Sequence, residues 1–166
     1  MGIYLNPGSA MFQKSLKSKI YVDKSGLLAI LNELVDTEQR YVCVSRPRRF
    51  GKSMAANMLA AYYGSSEDTS ALFASLEISQ CAGYRDHLNQ YDVLKINMQD
   101  FLSESQSIED MLAHLTACLI RDLKNGFPQI DFSYAKSLVS VMREVFAQTG
   151  RSFVILIDEW DCLFRE

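Results

Sequence analysis

The sequence predicts an α/β fold in which helices cover both faces of a parallel sheet. Three observations predict this fold: apolar, β-rich segments alternate with helix-forming segments, a long helical segment is amphipathic, and glycines follow the helical segments. The composition fits, because 48% of the 166 residues are hydrophobic, enough for a globular core. With 17 basic and 20 acidic residues, the net charge of −3 gives no overall attraction to nucleic acid or membranes.

The first half of the chain predicts a helix, a strand and a second helix. Residues 1–20 have a mixed pattern and form an N-terminal segment without an assignment. The segment "YVDKSGLLAILNELV" predicts a helix capped by Asp23, since its apolar residues follow helical spacing. Residues 40–45, "RYVCVS", predict a buried parallel strand because they are β-rich and apolar on both faces. Residues 52–63 are strong helix formers, and Gly64 is expected to end that helix.

The second half predicts two strands and two helices. The segments "DVLKINM" and "SFVILI" are expected as buried strands. "SIEDMLAHLTACLIRDLK" predicts an amphipathic helix capped by Ser107, with Asp110 at the reciprocal position. "SYAKSLVSVMREVFAQTG" predicts another helix, which Gly150 ends. The residues expected to face the core from the first of these helices are Met111, Leu112, Leu115, Leu119 and Ile120.

The cysteines and the N-terminus indicate a cytoplasmic protein without a membrane partner. Cys43, Cys81, Cys118 and Cys162 lie far apart and form no CxxC pair, which favours buried thiols over a metal site or disulfide framework. The N-terminus lacks the apolar region of a secretory signal. No apolar run approaches the length that spans a membrane.

The segment "SRPRRFGKSM" ends like a phosphate-binding loop with the pattern GxxxxGK[ST], and it lies between a predicted strand and a predicted helix. Gly51 allows close approach of the backbone to phosphate, Lys52 supplies charge to the β- and γ-phosphates, and Ser53 offers a hydroxyl to Mg²⁺. At the first glycine position the chain has Arg46, which Pro47 pushes towards an extended conformation. The alternative is a strand–turn–helix junction with a basic surface.

A second candidate motif is "FVILIDE", in which an apolar strand ends in two carboxylates. Asp158 could hold Mg²⁺ through water, and Glu159 could polarise an attacking water. The alternative is a core strand that ends in a solvated acidic turn. Co-occurrence with the lysine loop, in the expected chain order, favours the catalytic interpretation.

Together, "YVDKSGLL", "SRPRRFGKSMAANMLAAYYG" and "VILIDEWD" resemble the AAA-ATPase-like domain of many bacterial proteins. In that family the loop reads RPRRFGKS, so Arg46 is the family's own form. The resemblance covers nearly all of residues 1–166 and implies a P-loop NTPase fold, a three-layer α/β/α sandwich around a parallel sheet, with ATP and Mg²⁺ as cofactors. It implies a Walker A loop that binds nucleotide, a metal held by Ser53 and Asp158, and a Walker B motif with Glu159 as the catalytic residue. The Walker A residues are Arg46, Pro47, Arg48, Arg49, Phe50, Gly51, Lys52 and Ser53.

The resemblance also bears on partners. Family members commonly continue into a nuclease-like domain of the PD-(D/E)XK type, so a C-terminal effector domain is an expected partner. Nothing in this sequence matches that domain, and no nuclease activity is inferred. Asp23 and Lys24 match the family's "YVDK" stretch, for which capping and proximity to the nucleotide base are the suggested roles.

The sheet is expected to be incomplete. In P-loop ATPases with a glutamate after the strand-end aspartate, a further strand lies between the loop strand and the acidic strand, and it follows the acidic strand in sequence. The sequence ends at Glu166, and "CLFRE" cannot supply it. A fragment of a longer protein, direct pairing of the two strands, or a strand donated by another chain would each explain this. Because the missing part would carry the γ-phosphate sensor, we expect weak or absent hydrolysis by this chain alone.

Three functional hypotheses follow. The first is an ATP-binding, Mg²⁺-dependent ATPase domain in which Lys52, Asp158 and Glu159 converge on one triphosphate. The second is a non-catalytic nucleotide-binding or protein-interaction module. The third is nucleic-acid binding through Arg48 and Arg49.

Overall fold

The structure is a computed structural model that describes residues 2–45 and 50–164. The chain forms two compact units. Gly8–Tyr91 is here called the loop unit, and Met1–Pro7 with Asp92–Glu166 is called the sheet unit. The mixture of helices with a small parallel sheet agrees with the predicted α/β class.

The loop unit is helical. Its elements are α1 (Ala10–Leu16), α2 (Gly26–Asn32), α3 (Lys52–Tyr63), α4 (Ser70–Phe73), a 3₁₀ helix (Glu77–Gln80) and α5 (Tyr84–His87). Helix α3 has the predicted bounds, and its last six residues, Met58 to Tyr63, are all buried. Its first turn is open, since Ser53 and Met54 are exposed. The buried half anchors the helix, which leaves its N-terminus accessible.

Hydrogen-bonded tyrosines hold α2, α3 and α5 together. The Asn32 side chain donates to the Tyr62 hydroxyl and accepts from the Tyr63 hydroxyl, both at 2.9 Å. The Tyr62 hydroxyl in turn donates to the carbonyl oxygen of Tyr84 at 2.7 Å. Burial raises the pKa of Tyr62 to about 12 and also raises that of Tyr63, so both hydroxyls stay protonated as donors.

Two predictions for the loop unit are wrong. Residues 40–45 form no strand, and the Tyr41 side chain is 84% exposed. A strand needs a neighbour to satisfy its backbone, and within the described ranges these residues pair with no other segment. Asp23 does not cap α2, which begins at Gly26; its carboxylate accepts from the amides of Ser25 and Glu77 instead.

The sheet unit contains the parallel sheet. Its elements are β1 (Asp92–Asn97), α6 (Met98–Ser103), α7 (Ile108–Gly126), α8 (Leu138–Thr149), β2 (Phe153–Asp158) and a 3₁₀ helix (Trp160–Phe164). Strand β1 pairs with β2 along its whole length, from Asp92 opposite Phe153 to Asn97 opposite Asp158. The other edge of β1 is covered by residues 4–6, where Leu5 forms an antiparallel bridge to Leu94.

Both strands were predicted, but only β1 is buried. In β2, Ile155 and Ile157 are 50% and 53% exposed, so the prediction of a fully buried strand is wrong. Ile155 and Ile157 are the register partners of Leu94 and Ile96, so they lie on the same face of the sheet as these buried residues of β1, but the described elements leave them half exposed. The core lies on this face, where Leu94 and Ile96 of β1 pack with residues of α7 and α8.

At the helix starts of this unit, short polar side chains accept hydrogen bonds from backbone amides. Ser107 caps α7 as predicted. The Asp110 carboxylate was expected to accept a hydrogen bond from the Ser107 amide in return, but it accepts one from the Gln106 amide. Helix α8 begins at Leu138, later than predicted, with a capping box between Ser137 and Ser140. Upstream, the Asp131 carboxylate accepts from the Ser133 amide at 2.9 Å, which favours a turn over a helix there.

An aspartate of α7 fixes the start of the chain. The Asp122 carboxylate accepts hydrogen bonds from the backbone amides of Ile3, Tyr4 and Leu5 at 3.3, 2.8 and 2.7 Å. A Cβ atom on Gly2 would lie 2.3 Å from this carboxylate, so a side chain there would displace it. Residues 2–7 therefore belong to the sheet unit through Asp122 as well as through their pairing with β1.

Several individual burial predictions can be checked. Cys118 and Cys162 are buried, whereas Cys43 is exposed and Cys81 is partly exposed, which corrects the expectation of buried thiols for these last two residues. On α7, Met111 and Leu119 are fully buried, but Leu112 is 48% exposed and lies outside the core. No helix among the described residues has both the length and the apolar content that crossing a bilayer requires.

Candidate functional site

The predicted phosphate loop ends where α3 begins. Gly51 has φ 81° and ψ 25°, in the left-handed region that glycine adopts without strain, and its carbonyl accepts the first helical hydrogen bond from Ala55 at 2.9 Å. Lys52 is the first helical residue and Ser53 the second. The first amides of a helix have no partner within it and carry a partial positive charge. The loop end therefore presents backbone donors, a lysine and a hydroxyl together.

A second lysine lies against this turn. The Lys24 ammonium donates to the carbonyl oxygen of Phe50 at 3.1 Å, and it lies 3.3 Å from where a Cβ atom on Gly51 would be. The sequence suggested capping and proximity to the nucleotide base for Asp23 and Lys24, but not this contact. The "YVDK" match was the one feature of the sequence that pointed to Lys24. A contact between residues 26 positions apart leaves no pattern in the neighbouring sequence.

The two lysines border an apolar cavity of about 360 Å³ within the loop unit. Leu27, Ile30 and Val44 contribute the apolar lining, next to Phe50. The volume lies within the range of small-molecule sites, which are mostly apolar with a few oriented polar groups. An apolar hollow with cations at its border suits a ligand that is flat and apolar at one end and anionic at the other.

The electrostatics of this cavity are positive. Within residues 2–45 and 50–164, neither Lys24 nor Lys52 forms an ion pair, and no carboxylate lines the cavity. The partial charge of the α3 N-terminus has the same sign. The predicted nucleotide-binding residues Arg46, Pro47, Arg48 and Arg49 lie outside the described residues.

The predicted acidic motif lies at the end of β2, in the sheet unit. Asp158 is the last residue of the strand and Glu159 follows it, and both are partly exposed. Glu159 has φ 54°, and its amide donates to the Asp158 carboxylate at 3.0 Å. The Cys162 amide donates to the Glu159 carbonyl at 3.1 Å, which starts the following 3₁₀ helix. This turn places two adjacent carboxylates where solvent can reach them.

The neighbouring strand adds residues that sequence reasoning did not select. Asn97 is the register partner of Asp158, and its side chain donates to the Asp100 carboxylate at 2.8 Å. Burial lowers the pKa of the Lys95 ammonium, although Asp158 and Asp100 act in the opposite direction. Lys95 and Asn97 lie at the carboxyl end of β1 and Asp100 follows it, in "KINMQD", which is the pattern that could have indicated them.

A preformed metal cage is absent from the described part of the chain, where no three acidic, histidine or cysteine side chains cluster suitably. Mg²⁺ typically takes one or two carboxylates together with substrate phosphates and keeps several waters. A single partly exposed strand-end carboxylate such as Asp158, or a hydroxyl such as Ser53, fits that mode of binding. Each of these donors, taken by itself, therefore fits a metal that arrives with a nucleotide.

The comparison with protein families decides the family. A family profile described as "Predicted AAA-ATPase" matches residues 9–166, including both motifs. The chain belongs to this family of predicted AAA-ATPases. The resemblance noted from "RPRRFGKS" and "VILIDEWD" is thereby confirmed.

One curated relative of this predicted AAA-ATPase is an "Uncharacterized protein in vnfD 5'region" of Azotobacter chroococcum mcd 1. It is 28% identical over 142 residues, which cover 85% of the present chain and 25% of the relative. The chain thus spans about a quarter of that protein's length. No solved structure matches the chain.

Proposed function

We propose that this predicted AAA-ATPase binds ATP together with Mg²⁺ through the loop that ends in Gly51, Lys52 and Ser53. Family membership supports the proposal, and one observation carries it: Lys24, Lys52 and the open start of α3 border a single apolar cavity. The nucleoside would occupy the apolar part, and the phosphates would lie at the cationic border. This arrangement matches the amphipathic chemistry of a nucleotide.

Each residue at the loop end has a proposed role. Lys52 neutralises the β- and γ-phosphates, and Ser53 supplies a hydroxyl ligand to the metal. The backbone at Phe50 and Gly51 approaches the phosphates, which the left-handed conformation of Gly51 permits. Residues 46–49 are proposed to complete the loop.

The acidic motif is proposed to supply the catalytic part in the complete protein. When bound, Mg²⁺ would neutralise the charge that develops on the phosphate oxygens. Asp158 would hold the water shell of the metal, and Glu159 would orient the attacking water. Support comes from the sequence pattern, from family membership and from the partial exposure of both carboxylates.

Titration of the chain with ATP and Mg²⁺ tests the proposal. We expect Lys52→Ala to weaken ATP binding at least about tenfold, as for the loss of a charged hydrogen bond to phosphate. Lys19→Ala is the matched control, because Lys19 is an exposed lysine of the same unit outside the cavity lining. Equal, negligible affinity of wild type and Lys52→Ala would overturn the proposal.

A second candidate is a module that binds nucleotide for interaction rather than turnover. The half-exposed side chains of Ile155 and Ile157 on β2 favour a surface that another protein element covers. Phosphate release separates the two candidates. If the complete protein binds nucleotide but releases no phosphate, the interaction module is supported.

A further inference from the structure

We propose that Lys24 is a second phosphate-binding residue of the site, contributed by the turn before α2 and held against the loop by its hydrogen bond to Phe50. This inference rests on the proposed nucleotide binding and adds a residue that lies outside the GK[ST] motif. Its basis is the way the chain fixes Lys24, the donors that Lys24 retains and the cavity that it shares with Lys52.

The turn that carries Lys24 is fixed on both sides. Before it, the Asp23 carboxylate accepts from the Ser25 amide at 2.8 Å and from the Glu77 amide at 2.7 Å. After it, the Ser25 hydroxyl accepts from the Ile78 amide at 3.1 Å, and Ser25 is fully buried. Both neighbours of Lys24 are therefore anchored to the start of the 3₁₀ helix Glu77–Gln80, which limits where its exposed side chain can reach.

The ammonium retains unused donors at the loop. A lysine ammonium has three N–H donors, and one of them is directed at the carbonyl oxygen of Phe50. Within the described ranges, no other residue accepts a hydrogen bond from Lys24 and no carboxylate pairs with it. Two donors and a full positive charge are thus available beside the Phe50–Gly51 peptide.

The position of this charge suits a phosphate better than a purely structural contact. A single neutral acceptor such as the Phe50 carbonyl leaves the charge of Lys24 unbalanced, next to Lys52 and the positive end of α3. Among the described residues, these two cations line one cavity with no carboxylate in its lining; they repel each other weakly, and an anion between them relieves that repulsion. Gly51 leaves space for the Lys24 ammonium, since a Cβ atom at this position would lie only 3.3 Å from it.

The test compares ligands that differ in phosphate number. Lys24→Met, which removes the charge and keeps an unbranched side chain, should weaken ATP and ADP binding about tenfold or more and leave adenosine binding unchanged. Lys24→Arg should restore most of the affinity for ATP. Lys19→Met controls for the loss of one positive charge, and Lys24→Gln provides a second neutral variant if Lys24→Met does not fold.

The outcomes separate this inference from the proposed function. If wild type and Lys52→Ala bind ATP equally weakly, the proposed function fails and the role of Lys24 fails with it. If Lys52→Ala loses affinity while Lys24→Met binds ATP like wild type, only the role of Lys24 is refuted. If Lys24→Met weakens ATP, ADP and adenosine by the same factor, Lys24 only shapes the loop, and its phosphate contact is refuted.

Discussion

Asn97 and Asp158 are register partners at the carboxyl ends of two parallel strands, β1 and β2. Parallel pairing places the residues that follow both strands at the same edge of the sheet. Asp158, Glu159 and Asp100 therefore share one edge, with Lys95 near Asp158. The first two predictions concern the acidic residues at this edge of the sheet.

The first prediction concerns the metal. Asp158→Asn should raise the Mg²⁺ concentration required for half-maximal ATP binding about tenfold, because an amide holds the metal's water shell less strongly than a carboxylate. Mg²⁺ titration at fixed ATP measures this requirement. Asp161→Asn is the matched control, since it removes a nearby carboxylate of the same charge. An unchanged Mg²⁺ requirement in Asp158→Asn would contradict the assignment.

The second prediction separates turnover from binding. In the complete protein, Glu159→Gln should lower single-turnover phosphate release about 100-fold, since a general base or water-orienting group typically contributes that much. ATP affinity should change less than about twofold, because this residue is proposed to act on the attacking water rather than on the nucleotide. Equal phosphate release by the variant and wild type would show that Glu159 takes no part in turnover.

The third prediction concerns a buried ion pair of the sheet unit. The Asp92 side chain is fully buried, and it accepts from Arg151 Nε at 3.2 Å and from the Asn6 amide group at 2.9 Å. Arg151→Met leaves that carboxylate without its cation and should destabilise the unit by about 1–3 kcal/mol, less than for a fully buried pair because Arg151 is 41% exposed. Urea unfolding measures the loss.

The control for this pair is Arg143→Met, which changes an exposed arginine of α8. Its effect should stay within about 0.5 kcal/mol, as for other surface substitutions. Equal unfolding midpoints for the two variants would show that the pair contributes nothing measurable.

The fourth prediction is a pH dependence in the loop unit. Partial burial would raise the pKa of Asp23, but hydrogen bonds from the Glu77 and Ser25 amides outweigh it and hold the pKa below the ordinary value. Because the native pKa lies below that of the unfolded chain, about 4, the stabilisation is complete above that pH. It is lost as the pH falls through the native pKa.

Urea unfolding of wild type and Asp23→Asn between pH 2.5 and 7 tests this dependence. At neutral pH the variant should be less stable by about 1 kcal/mol, because an amide oxygen is a weaker acceptor than a carboxylate. The difference between the two proteins should shrink as the pH falls below about 4. A difference that is constant over the whole range would refute the assigned cause.

Local sequence predicted the elements whose stability is decided locally. Helix α3 was predicted with its observed bounds, because residues 52–63 are strong helix formers followed by Gly64. Strands β1 and β2 were predicted from their apolar runs. Residues 40–45 have the same apolar character and form no strand, since a strand requires a partner that propensity does not supply.

The candidate site was predictable where a motif defines it and unpredictable where the fold defines it. The turn at Gly51 and the strand end at Asp158 follow from short patterns. The contact of Lys24 with Phe50, and that of Asp23 with Glu77, join residues far apart in the chain. Asp23 therefore looked like a helix cap, because its long-range acceptor role has no signature in the neighbouring residues.

The backbone of Glu159 has a consequence for laboratory evolution. A glutamate with φ 54° costs about 1 kcal/mol that glycine at the same position would not. Mutagenesis followed by selection for heat resistance alone would accumulate glycine at this codon, whereas selection for ATP consumption would retain the acid if Glu159 orients the attacking water as proposed. Sequencing that codon after many rounds would reveal which of the two demands a lineage had experienced.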